Sequence, residues 1–171
     1  MLQTSKRLLQ TGCLICVFLL GTRAATFAQV AAPSNGQLRL TPTELTALHS
    51  KGALAPGSSN HAGIEEIVLY GDPAKPGLYT ILLKIGPNTK IAAHLHPDFR
   101  TATVVSGTWY FGYGDKFDAA KLKQLPTGSV YTEVAGQNHF AMTKGPVMVE
   151  ITGYGPSGVT YVNATDDPTR K

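Results

Sequence analysis

Three of the five histidines in this 171-residue chain fall in two blocks bounded by glycine. His94 and His96 stand two apart in the run that opens at Gly86 and closes at Gly107. His139 ends the run Gly128-Ser-Val-Tyr-Thr-Glu133-Val-Ala-Gly136-Gln-Asn-His139. On a strand, positions two apart project from one face, roughly 6.5–7 Å from each other along the chain. Two imidazoles so placed can converge on an ion held about 2.1 Å from each nitrogen. A third histidine from a neighbouring strand completes a three-nitrogen site. Glycines at the turns bring the two blocks together. Such a site suits iron, manganese, zinc, nickel or copper and leaves positions open for water or substrate.

The spacing resembles the two motifs of the cupin superfamily. The first cupin motif runs Gly, His-x-His, Glu after three residues, then Gly after six more. His94, His96 and Gly107 match it, and Arg100 stands at the Glu position. Gly86 opens it with a spacer two residues longer than usual. In the second motif Gly128, Gly136 and His139 fall in register, with Val134 where Pro is usual and Thr143 where Asn is usual. The resemblance implies an all-β fold, a cupin-type double-stranded β-helix or jelly-roll barrel with one or two short helices. It also implies a divalent transition metal on His94, His96 and His139.

Arg100 is the main departure. In metal-binding cupins this position usually supplies the carboxylate ligand, and a guanidinium has no lone pair to offer a cation. Two directions are open to it. Pointing inward, Arg100 would take a catalytic role, gripping an anionic substrate beside the metal. Leaning outward, it would pair with Asp98 or another surface acid. Glu133 is either a replacement carboxylate from the other strand or a solvated strand acid. Thr143, in the second motif, is placed to orient water or substrate. Trp109, Tyr110, Phe111 and Tyr113 divide between core packing and an aromatic wall. His49 and His61 read as surface residues.

The elements that must position these side chains follow from pattern. Residues 1–28 have Lys6 and Arg7 before an apolar run over Leu8–Leu20, then small residues, the layout of a secretory signal peptide. That places the chain in the periplasm or outside the cell, with no stable membrane span once the leader is removed. Cys13 and Cys16 leave with the leader, so the mature chain has no thiol, which suits an oxidising compartment. Lys6, Arg7 and Arg23, three of the 15 basic residues, lie there with none of the 11 acids, so the remainder is close to neutral. The basic character is therefore no argument for nucleic-acid binding.

Residues 29–62 form a lead and a short helix. Leu38–Leu40 suggests an edge strand. Thr41-Pro-Thr-Glu44 supplies a cap, a Pro at the first helical position and the Glu of a capping box. Residues 63–165 carry short strands with turns every eight to twelve residues, the cupin barrel of the resemblance. Within it, Tyr79, Ile81, Leu83 and Ile85 should face one way, Gly107 should turn the chain, and 115–125 should hold a helical turn. Residues 166–171 read as a loose tail.

The function this supports is an exported metalloprotein acting on a small molecule, an anionic one where Arg100 points inward, with dioxygenase, isomerase and lyase chemistry all open. Whether it is an enzyme stays open too. The alternative is a non-catalytic binding or sensing module without a firmly held metal. A homodimer is a further expectation of the resemblance.

Overall fold

The computed structural model describes residues 36–50 and 58–170. The leader expected over 1–28 lies outside them. Helix α1 (Pro42–Ala47) starts as its sequence dictates. Thr41 Oγ1 accepts from the Glu44 amide, and Glu44 reaches back to the Thr41 amide at 2.7 Å. These bonds satisfy amide groups that a helix N-terminus otherwise leaves bare. Leu38–Leu40 forms no strand.

Among the described residues ten strands follow: β1 (Ile64–Tyr70), β2 (Gly77–Ile85), β3 (Lys90–Leu95), β4 (Arg100–Ser106), β5 (Thr108–Tyr113), β6 (Lys123–Pro126), β7 (Val130–Glu133), β8 (His139–Met142), β9 (Val147–Gly155) and β10 (Thr160–Tyr161). They make two five-stranded sheets, ordered β1-β2-β9-β4-β7 and β10-β3-β8-β5-β6. All the pairings are antiparallel.

The barrel expected from the resemblance is not formed. Among the described residues neither sheet closes on itself, and no ladder joins an edge strand of one to an edge of the other. Closure would need continuous hydrogen bonding at the edges. Here the edges include β10, two residues long, and β6 and β7, four each. The result is an all-β, antiparallel two-sheet fold that resembles a cupin jelly roll with open edges.

The alternating residues of β2 behave as expected. Tyr79, Ile81, Leu83 and Ile85 are buried and join Ile64, Val104, Trp109, Phe111, Val149 and Ile151 in one core. Burying an aliphatic or aromatic side chain of this size contributes roughly 1.5–3 kcal/mol. Leu82, on the opposite face of β2, is buried as well. Nearby, Lys84 Nζ donates to Thr46 O (2.7 Å) and Leu48 O, so the end of α1 lies over the outer face of that strand. A cation there also meets the negative end of the helix.

Gly107 turns β4 into β5 with φ of +79°, and a Cβ there would lie 2.4 Å from Pro146 O. Both facts require glycine. The helical turn expected over 115–125 is a short 3-10 turn at Ala119–Lys121, after which the chain enters β6. Residues 164–166 and 168–170 form two further 3-10 turns.

Candidate metal centre

The three histidines come from adjoining strands of one sheet. His94 on β3 is the direct register partner of His139 on β8, and His96 follows at the end of β3. All three are buried. Their ligand atoms lie within 4.8 Å of one another. Ring centroids are 4.4 Å apart for His94 and His139, 5.0 Å for His94 and His96, and 5.2 Å for His96 and His139.

Backbone carbonyls fix the orientation of each ring. His94 Nδ1 donates to Ala92 O at 2.8 Å, His96 Nδ1 to Gly158 O at 2.5 Å, and His139 Nδ1 to Gln137 O at a longer 3.4 Å. A carbonyl only accepts, so each Nδ1 carries the proton and each Nε2 keeps its lone pair. A ring hydrogen bond of this kind is the usual support of a metal-ligating histidine. The Nε2 of His139 is buried with no hydrogen-bond partner. A buried acceptor left bare is costly, and an ion would satisfy it.

Charge reinforces this. Burial pushes His94 down to about 3, and the neighbouring His139 adds to it. Burial and then Arg100 hold His96 well below its ordinary value. Burial also lowers His139, against the pull of Glu133. The imidazoles are thus neutral at physiological pH, the form that ligates metal.

The facing sheet supplies the rest of the site. Arg100 on β4 and Glu133 on β7 are register partners, and Arg100 Nη2 donates to Glu133 Oε2 in a buried ion pair. Glu133 Oε2 lies 3.8 Å from His96 Nε2, and Glu133 Oε1 lies 3.8 Å from His139 Nε2. Burial alone would raise the Glu133 carboxyl. Burial is the largest single influence, and Arg100 and the three histidines together overcome it and hold the group at about 2. Between the sheets these five residues border a small pocket whose other walls include Leu83, Ile91, Tyr131 and Ile151.

Of the directions open to Arg100, the structure shows the inward one, with Glu133 as its partner. Asp98 is engaged elsewhere: Tyr79 Oη and Ser157 Oγ both donate to it at 2.6 Å. Gly153 makes that possible. A Cβ there would stand 2.5 Å from Tyr79 Oη and 2.7 Å from Asp98 Oδ2. Thr143 does not line the pocket. Its hydroxyl donates to Gly86 O and accepts from the Thr89 amide, which ties down the β2–β3 turn. Trp109 and Phe111 are core residues, Tyr113 is half exposed, and Tyr131 is the aromatic residue of the pocket wall. His49 sits exposed beside Glu65, and His61 Nδ1 accepts from the Gly63 amide.

Sequence reasoning missed Glu66. Its carboxylate is buried on β1, neither oxygen meets a well-aligned donor, and burial pushes it up to about 7. The signal was present, since Glu66 is two residues from buried Ile64 and shares its face.

No family model matches the chain, and no curated protein matches it by sequence. Similarity appears among solved structures. The chain is similar to the polyketide cyclase RemF from Streptomyces resistomycificus, with 15% identity and a TM-score of 0.58 over 79% of this chain and 94% of that one. It is also similar to a sugar phosphate isomerase from a cupin superfamily of Silicibacter pomeroyi (18% identity, TM-score 0.49, 64% and 73% covered). A third is an uncharacterized protein with a double-stranded β-helix domain from Klebsiella pneumoniae (24% identity, TM-score 0.47, 62% and 88% covered). At 15% identity the likeness to RemF is one of fold. What the chain itself adds is a buried three-histidine cluster able to coordinate a divalent metal. Among the described residues, no helix is long and apolar enough to cross a membrane.

Proposed function

We propose that this protein is a metalloprotein that acts on a small molecule, with one divalent transition metal held by His94, His96 and His139. The observation that carries this reading is the orientation of the three rings. Each Nδ1 is spent on a backbone carbonyl, which leaves three converging Nε2 lone pairs, one of them bare in a buried site. Bound there, the ion supplies Lewis-acid chemistry, or oxygen chemistry if it is iron or copper. The chain's own residues supply the enclosure. Ile91, Tyr131 and Ile151 give the pocket apolar walls, and the Arg100–Glu133 pair sets its charge. In this reading an anionic substrate approaching Arg100 must compete with Glu133, so substrate selection and the ion pair are linked. The leader-like pattern of 1–28 supports an exported protein.

Thermal melting of the purified protein against added Zn²⁺, Mn²⁺, Fe²⁺ or Ni²⁺ tests the reading. A site present only in the folded state stabilises by about 2.7 kcal/mol at a free metal concentration 100 times Kd. The wild type should gain stability with at least one of these ions, and His139→Ala should gain none. A wild type indifferent to all of them would overturn the proposal.

A further inference from the structure

We propose that the carboxylate ligand missing from position 100 is supplied by Glu133, from the facing sheet. The inference rests on the three-histidine reading and deepens it.

Strand β7 has the burial alternation of a strand with one inner face, and Tyr131 and Glu133 are its inward residues. The register of β7 against β4 sets Glu133 opposite Arg100. The carboxylate therefore looks across the gap between the sheets at β3 and β8. Its two oxygens reach different histidines, Oε2 lying 3.8 Å from His96 Nε2 and Oε1 lying 3.8 Å from His139 Nε2. Two atoms that share an ion at about 2.1 Å each stand no more than about 4.2 Å apart. Both separations fall inside that bound, so each carboxylate oxygen is within reach of an ion held by the histidine nearest it.

The Arg100 bond goes to Oε2. Oε1 is the oxygen nearer His139 Nε2, the buried imidazole nitrogen left bare, so it is the donor atom assigned to the ion. Carboxylate and guanidinium together add no net charge to three neutral imidazoles. A carboxylate shared between Arg100 and an ion is a weaker donor than a free one, so the site should hold its metal less tightly than three histidines with an unshared glutamate.

The test is Co²⁺ binding, followed by its visible d–d absorption and by titration, on the wild type and on Arg100→Gln/Glu133→Gln. The double variant removes both charges at once. The net charge of the site stays as it is in the wild type, and simple attraction cannot account for a difference. The expected result is an affinity about tenfold or more below the wild type, with altered Co²⁺ bands. Equal affinity and an unchanged spectrum would overturn the assignment and leave the three-histidine site standing. A wild type that binds no Co²⁺ would remove both. Glu133→Asp guards against a double variant that does not fold, because it keeps the buried charges paired and only draws the carboxylate back by one methylene. It should also weaken Co²⁺ binding and shift the bands, and an unaltered spectrum would count against the assignment.

Discussion

Arg100 and Glu133 face each other in register on antiparallel strands β4 and β7, and their buried ion pair looks onto three histidines carried by the other sheet. The centre is thus assembled across the interior, with neutral donors on one side and a compensated charge pair on the other. Neither charge would be tolerable alone in that position. Desolvating a single ion costs several kcal/mol, and only its partner offsets this.

Stability of the metal-free protein should show that dependence. Arg100→Met alone should cost about 3–5 kcal/mol, because it strands the Glu133 carboxylate in the interior. Arg100→Met combined with Glu133→Gln should cost less than Arg100→Met alone. Urea unfolding in the presence of a chelator measures both. Additive losses would mean that the two side chains do not depend on each other.

Glu66 should make the stability of the fold fall with rising pH. Burial raises its carboxyl from 4.5 to about 7. A carboxyl raised in the folded state holds its proton more tightly there than in the unfolded chain. Its contribution is therefore fully present below about pH 4.5 and is lost as pH rises to about 7. Glu66→Gln removes the effect. The variant should match the wild type near pH 4 and exceed it by on the order of 3 kcal/mol above pH 7. A difference between the two proteins that does not vary with pH would refute the assignment.

Gly153→Ala should destabilise by about 1–3 kcal/mol through overpacking. The new methyl would meet Tyr79 Oη and Asp98 Oδ2, neither of which can move without breaking their 2.6 Å hydrogen bond. Thermal melting of Gly153→Ala beside the wild type checks this, and an unchanged melting temperature would contradict it.

The parts of the site legible in the sequence are those set by short-range spacing. His94 and His96 two apart, His139 three after Gly136, the turn at Gly107 and the Thr41–Glu44 capping box all follow from local rules, and the structure contains each arrangement. The ion pair was not legible in the same way. Arg100 and Glu133 are 33 residues apart, and their meeting depends on the register of β7 against β4, which no local pattern states. Thr143 was misread for a related reason: its place in the motif says nothing of the Gly86 carbonyl and Thr89 amide that claim its hydroxyl. Barrel closure failed as an expectation because it depends on how far the edge strands continue, and β10 stops after two residues.

The most direct test of the central claim is elemental analysis of the chain from residue 29 onward, purified without a histidine tag or chelator, beside His94→Ala/His96→Ala. The account predicts about one equivalent of a transition metal per chain in the wild type. The double variant, with the folded state confirmed by circular dichroism, should carry none. A wild type that holds no metal even after reloading, or a folded double variant that keeps a full equivalent, would contradict it.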